Sequence, residues 1–488
     1  MDKIKVTYLE GRRCVISSDN PYFSTIRNYF SYDNPAARFT KYKRLPKRLY
    51  SITVKGHCDV GLLWDIKKYI EDEGWGVKLE ISDRVKSIMV NPIKVDLVEV
   101  PNNKFKLRDY QRESVQNALK LGGGICLVGT GGGKSLVIST MIETLYQKVS
   151  RNIKVLLVVP NLGLIHQMYK DFKEHQCTFT YSKWSGNNIL DESTNVVIVN
   201  TGYLQISDRS EEFDKFFKKI DFLFYDEVHL FGGEPEPKAS ILLKKYDYKN
   251  VFGFTGSLEK QTYKSDKVYG YFGRPFYIKP SKELRDENYI SNISVKQIKV
   301  HHDVDFSTIY DPNEENVVNY NNEIDYLTHS QYRCHVIKEI VCKLNGNVLL
   351  LVDRIEQGEK LQHIFKHTKD RRVFFIRGSM PVNERVKITD DMEKSNDIIC
   401  IAMSKIFSTG ISVNNIPYGL FFHIGKAWNK IIQSIGRGLR LHKAKDKFIL
   451  FDMCDNLIFS EKHSDRRKMV YQDQKIEFEE FNIYEKKD

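Results

Sequence analysis

Eight consecutive residues, Val128-Gly129-Thr130-Gly131-Gly132-Gly133-Lys134-Ser135, set four glycines beside a lysine and a hydroxyl. Successive glycines let backbone N–H groups turn inward around an anion. Lys134 would then reach the outer oxygens of a nucleotide's phosphates, and Ser135 would offer an oxygen to Mg2+. The spacing is that of a phosphate loop except at its first position, where Val128 stands in place of glycine. A glycine-rich turn also serves as a plain connection, so the flanks decide. The apolar run Gly124 to Val128 reads as a buried strand and Leu136 to Tyr146 as a helix, and a helix start adds its own positive dipole.

Downstream, Asp226-Glu227-Val228-His229 closes the apolar run Phe222 to Tyr225. Carboxylates at the tip of a central strand face the crevice where α/β sheets bind ligands. Asp226 is placed to hold Mg2+ and Glu227 to orient and polarise an attacking water. An isolated Asp-Glu pair is more often a solvated turn, and it is the phosphate loop upstream that favours the catalytic reading. A third cluster, Gln433-Ser434-Ile435-Gly436-Arg437-Gly438-Leu439-Arg440, puts Arg437 and Arg440 three apart and so on one helix face. They are expected to act as arginine fingers on a γ-phosphate, the alternative being a basic helix that meets nucleic acid or solvent.

Positioning these groups requires sheets. Short apolar runs recur between longer helical patterns at Gly124 to Val128, Val155 to Val159, Asn195 to Val199, Phe222 to Tyr225 and Val251 to Phe254. A second series follows at Val348 to Val352, Val373 to Ile376, Ile398 to Ala402, Leu420 to Ile424 and Phe448 to Phe451. Nearly continuous apolar runs suit parallel strands covered by helices on both faces, which predicts an α/β chain with two similar domains in tandem. The expected division is 1–100 for a small α+β module, 101–288 for the first α/β domain and 289–488 for the second with a carboxy-terminal tail, the hinge falling near Asn288. In the leading module Arg38, Lys41, Lys43, Arg44 and Lys47 interleave with Phe39 and Tyr42, a combination suited to holding phosphates and stacking bases, the alternative being a solvated basic loop.

The 488 residues carry 75 Lys and Arg against 63 Asp and Glu, a formal charge of +12, which is compatible with a polyanionic partner without requiring one. The eight dispersed cysteines form no C-x-x-C pair and predict free thiols in a reducing compartment. With no signal-like leader and no apolar run long enough to span a bilayer, a cytoplasmic protein without a membrane partner is expected.

Across residues 105 to 455 the blocks occur in the order found in superfamily 2 helicases and translocases, and the chain is identified as a resemblance to that family. Phe105 to Gln111 resembles the adenine-contacting segment, with Arg108 and Gln111 as nucleotide contacts. Val158-Val159-Pro160 with Gln167 resembles the first strand-contacting motif, and Asn200-Thr201-Gly202 the second. Asp226 to His229 is similar to a DEAH-type box with valine in the third place, and Phe254-Thr255-Gly256-Ser257 to the motif coupling hydrolysis to movement, so that His229, Thr255 and Ser257 are coupling residues. Ser408-Thr409-Gly410-Ile411-Ser412 resembles the fifth motif without its usual acidic residue, which leaves Thr409 for the strand and Gly410 for the nucleotide, and Gln433 to Arg440 matches the sixth.

The resemblance is greatest to phage recombination and branch-migration helicases of the UvsW type. It implies two tandem RecA-like domains with an ATP site at their shared cleft, ATP and Mg2+ as cofactors, and forked or branched DNA as partner in recombination, replication or repair. The motor residues grip backbone, so an RNA helicase stays open as an alternative. So do the motor subunit of a restriction or repair complex and a nucleic-acid-binding protein that no longer hydrolyses ATP. Polarity, oligomeric state and protein partners are not encoded in any of these motifs.

Overall fold

In a computed structural model the described residues are 3–34, 37, 45–186, 188–207, 211–232, 240–258, 262–404, 406, 413–423 and 447–485. The chain divides into two compact units, one of residues 1–128 and 133–280, the other of 129–132 and 281–488.

The first unit opens with a small mixed sheet. Strand β1 (Lys3–Glu10) pairs antiparallel with β2 (Arg13–Ile16). Its alternation buries Ile4 and Val6 and leaves Lys3 and Lys5 in solvent, the period of a strand covered on one face. A separate two-stranded ribbon joins β3 (Ser31–Asp33) to β4 (Arg48–Tyr50), while β5 (His57–Asp59) and β6 (Lys78–Ile81) complete the small sheet in the order β5-β2-β1-β6. Helices Phe23–Tyr29 and Leu63–Asp72 bury Ile26, Leu63, Ile66 and Ile70 in a common core with it.

A seven-stranded, wholly parallel sheet follows in the same unit: β7 (Gly124–Val128), β8 (Val155–Val159), β9 (Tyr181–Trp184), β10 (Val196–Asn200), β11 (Phe222–Asp226), β12 (Asn250–Thr255) and β13 (Pro275–Lys279), ordered β13-β7-β12-β11-β8-β10-β9. All five residues of β8 and of β11 are buried, because helices cover both faces.

The leading module is joined to this sheet by buried polar contacts. The Arg12 guanidinium donates from Nε to Tyr271 O at 2.8 Å and from Nη1 to Tyr248 O at 2.9 Å. Helix Tyr263–Phe272 also presents Asp266 Oδ2 to the hydroxyls of Tyr32 at 2.9 Å and Ser51 at 2.8 Å, at the root of the β3–β4 ribbon.

The second unit holds another seven-stranded parallel sheet: β14 (Asn292–His301), β15 (Val348–Val352), β16 (Arg372–Ile376), β17 (Ile398–Met403), β18 (Tyr418–Phe421), β19 (Lys447–Asp455) and β20 (Glu477–Tyr484), ordered β16-β17-β15-β18-β19-β14-β20. This is the architecture expected from the two series of apolar runs. Three features were not visible in the residues. Edge strands β9, β13 and β20 are short or polar. Residues before β15 form a helix, Asn316–His329, whose buried Glu323 accepts from the backbone N–H groups of Phe459 at 2.8 Å and Ser460 at 2.6 Å. The carboxy-terminal tail is a helix, Ile458–Asp473, followed by β20. Among the described residues no helix is long and apolar enough to cross a membrane.

Candidate functional site

Strand β7 ends in the fully buried Val128, so the residue that departs from the phosphate-loop pattern is a strand residue with no need of glycine's freedom. The turn begins after it. Gly131 and Gly133 take φ of 87° and 76°, left-handed values that L side chains rarely adopt. Gly132 N–H donates to Gly129 O at 3.0 Å, and helix Lys134–Lys148 starts directly behind Gly133. Thr130 and Ser135 are half-buried in this turn. A Cβ on Gly133 would lie 2.5 Å from Gln111 Nε2, so glycine there lets the Gln111 carboxamide close on the loop. Gln111 is itself fixed by its Oε1, which accepts from the Arg108 backbone N–H at 3.0 Å at the start of helix Asp109–Leu121. The Arg108 guanidinium reaches the Tyr110 hydroxyl at 3.3 Å.

Parallel pairing of β11 with β12, and of β12 with β7, brings the strand ends together. Lys134 Nζ lies 3.4 Å from Val128 O. Asp226 is the last residue of β11, and its Oδ1 accepts from Glu227 N–H at 2.9 Å. Burial and then the Glu227 carboxylate push the Asp226 carboxyl up to about 7, against the pull of Lys134. Glu227 has φ of 53°, a left-handed backbone that costs a non-glycine residue about 1–3 kcal/mol and is typical of functional turns.

His229 stands between Glu227 and Thr255. His229 Nδ1 is 3.3 Å from Glu227 Oε2 and 2.9 Å from Thr255 Oγ1. The Thr255 hydroxyl donates to Ser257 O at 2.9 Å, which leaves its oxygen to accept from an Nδ1–H tautomer of His229. Helix Tyr263–Phe272 packs on the turn Val228–Gly232 through Phe272 against Phe231 and Tyr225, and so touches the back of this site.

The residues expected at a strand-contacting surface are partly assembled. Thr201 Oγ1 donates to Pro160 O at 3.1 Å, joining the ends of β8 and β10. Gln167 lies along its own helix and donates to Asp171 at 2.7 Å. Beside the first pair, Asn161 Nδ2 and Asn200 Oδ1 are buried atoms without a partner among the described residues. Both residues fall inside the motif segments, but an asparagine at a strand end reads equally well as a helix cap, which Asn161 also provides by accepting from Leu164 N–H at 3.1 Å. Lys47 is exposed at the foot of the β3–β4 ribbon. Arg38, Lys41, Lys43, Arg44, Thr409, Gly410, Gln433, Arg437 and Arg440 lie outside the described residues.

Comparison with known proteins follows this geometry. Residues 104–260 match the family described as type III restriction enzyme, res subunit, and residues 332–442 the helicase conserved C-terminal domain. The ATP-dependent DNA helicase uvsW of Enterobacteria phage T4 is 23% identical over 485 residues, 95% of this chain and 93% of its own. The DNA 3'-5' translocase XPB2 of Sulfurisphaera tokodaii is 25% identical over 236 residues, 48% of this chain and 47% of its own. The structure of S. cerevisiae Dbp5 bound to RNA and ADP BeF3 covers 83% of this chain and 94% of its own with a TM-score of 0.54 at 14% identity, a likeness of fold.

Proposed function

Because this chain belongs to the superfamily 2 helicases, we propose that it is an ATP-driven DNA helicase or translocase that works on forked and junction DNA in recombination, replication or repair. The observation that carries the reading is the run Glu227–His229–Thr255–Ser257 beside Asp226 and Lys134. It joins the residues suited to hydrolysis to the end of β12 at Thr255 and to Ser257 beyond it.

Lys134 supplies positive charge to the phosphates, and the amides of the glycine turn orient them. Glu227 orients a water for attack, and its partner His229 carries the change in that carboxylate's surroundings to Thr255. Arg437 and Arg440 stabilise the charge that builds on the transferred phosphoryl group, and Gln433 helps align it.

A hydroxyl and a carboxylate form a hard-oxygen donor pair, and a buried Asp226 carboxyl pushed toward neutrality is a position that a cation would relieve, so Ser135 and Asp226 fit Mg2+. When bound, Mg2+ neutralises phosphate charge. Pro160, Gln167, Thr201 and Thr409 contact the strand, and Lys41, Lys43, Arg44 and Lys47 hold backbone phosphates.

The full relative match to a DNA helicase and the partial match to a DNA translocase favour DNA. The test is the rate of ATP hydrolysis with no nucleic acid, single-stranded DNA, duplex DNA, branched DNA or RNA, with Lys134→Ala as the blank. The expected result is strong stimulation by DNA, greatest with branched forms. Stimulation by RNA alone would replace DNA with RNA in this reading, and absence of turnover under all conditions would reduce the protein to a binder.

A further inference from the structure

The amino-terminal module carries a tier of aromatic rings that the motor mechanism does not use. Tyr22 stacks on Trp75 with centroids 4.7 Å apart and planes at 24°. Trp75 meets Tyr69 edge-on at 5.5 Å, and Tyr69 stacks on Tyr29 at 3.8 Å and 19°. Tyr69 is buried, whereas Tyr29 at the outer end is 54% exposed. Trp75 is held in place by its neighbours: Gly74 and Gly76 take φ of 65° and 68°, so a glycine hinge on each side lays the indole back against Tyr22. A single exposed tyrosine is ordinary. The four rings form two stacked pairs that meet edge-on, and the tier ends in the half-exposed Tyr29.

We propose that this tier is a stacking shelf for an unpaired base of branched DNA, with Tyr29 as the ring that receives it. The proposal rests on the DNA-motor reading and deepens it. Three observations choose this occupant. Every base presents a π-face, and stacking on aromatic side chains is the sequence-tolerant way to hold an unpaired one. The charge near the shelf includes exposed cations: Lys67 and Lys68 precede Tyr69 on its helix and Glu71, Asp72 and Glu73 follow it, while Lys47 and Arg48 stand exposed on the adjacent β3–β4 ribbon and Arg27 lies with its guanidinium 3.7 Å over Tyr50. Phosphates flanking a base stacked on Tyr29 would meet these cations. Finally, the shelf cannot swing away from the motor, since Tyr29 and Phe30 lead directly into β3, whose Tyr32 is bonded to Asp266 on helix Tyr263–Phe272.

The test uses the full-length protein on forked DNA carrying 5-iodouracil at the first unpaired position of each arm, a base that crosslinks to a stacked ring on irradiation. The expected crosslink maps to Tyr29, disappears in Tyr29→Leu and persists in Tyr29→Phe. Fork affinity in Tyr29→Leu falls about tenfold, the scale of one lost base stack, with DNA-independent ATP hydrolysis unchanged. Crosslinks confined to other segments together with unaltered fork affinity in Tyr29→Leu would overturn the shelf while leaving the motor intact. If the wild-type protein shows no DNA stimulation of hydrolysis, the motor reading falls and the shelf falls with it.

Discussion

His229 Nδ1 lies 2.9 Å from the Thr255 hydroxyl, a bond that ties the turn after β11 to the last residue of β12. Both strands belong to one parallel sheet, so a shift of Glu227 that moves the imidazole is felt at Thr255 and Ser257. His229→Ala and Thr255→Ala are therefore expected to keep DNA-stimulated ATP hydrolysis near the wild-type rate and to lower strand separation per ATP consumed about tenfold, the usual size of a coupling energy. Parallel assays of phosphate release and unwinding check this. An equal fall in both would move the pair from coupling to chemistry.

Lys134→Ala and Glu227→Gln remove, respectively, the charge proposed to bind phosphates and the carboxylate proposed to orient water. Each is expected to lower turnover by about two to three orders of magnitude, the scale of one lost transition-state contact, while leaving DNA affinity intact. Steady-state hydrolysis and fluorescence anisotropy on the same preparations separate the two effects.

Asp266 supports a pH prediction. Burial raises its carboxyl from 3.8 to about 6, against the hydroxyls of Ser51 and Tyr32. Above the folded value the group is charged in both states and the native state bears the desolvation. As pH falls from about 7 to 4 the native state takes up the proton first, so this residue's contribution to stability improves by up to about 3 kcal/mol. Asp266→Asn lacks that gain. The difference in unfolding free energy between wild type and variant should shift in favour of the wild type on acidification, as read from denaturant melts at several pH values. A difference independent of pH would show that the site titrates as an ordinary carboxylate.

Arg12 is buried to 3% exposure, with burial lowering its guanidinium to about 10, and it satisfies two carbonyls of the first lobe. Arg12→Met leaves Tyr248 O and Tyr271 O without that donor, and is expected to cost about 2–5 kcal/mol and to expose the junction between module and lobe. Thermal melts and limited proteolysis measure the two consequences. Unchanged protease sensitivity would mean the other contacts of helix Tyr263–Phe272 suffice.

Much of the fold and of the nucleotide site is local in origin and was therefore legible in the residues. Runs such as Val155 to Val159 announce doubly covered parallel strands because a strand buried on both faces admits no polar alternation. The glycine turn and the Asp226-Glu227 tip are readable because their backbone needs are met within a few residues. Edge strand β20 was not legible, since Glu477–Tyr484 is an outer strand held by its ladder with β14 rather than by a pattern of its own. The helix Asn316–His329 escaped for a similar reason, its Glu323 being satisfied by residues more than a hundred positions away.

What the sequence by itself determined was the class of chemistry: a phosphate loop, a pair of carboxylates at a strand end and two arginines, in the order of a helicase motor. Tertiary structure alone decided which of these groups touch. It closed Gln111 on Gly133, joined Thr201 to Pro160, linked His229 to Thr255, and gathered Tyr22, Trp75, Tyr69 and Tyr29 into one tier. Composition and spacing act along the chain, whereas these contacts depend on strand order and on the packing of helices across the sheet, which bring distant residues within hydrogen-bonding or stacking range only once the core has formed.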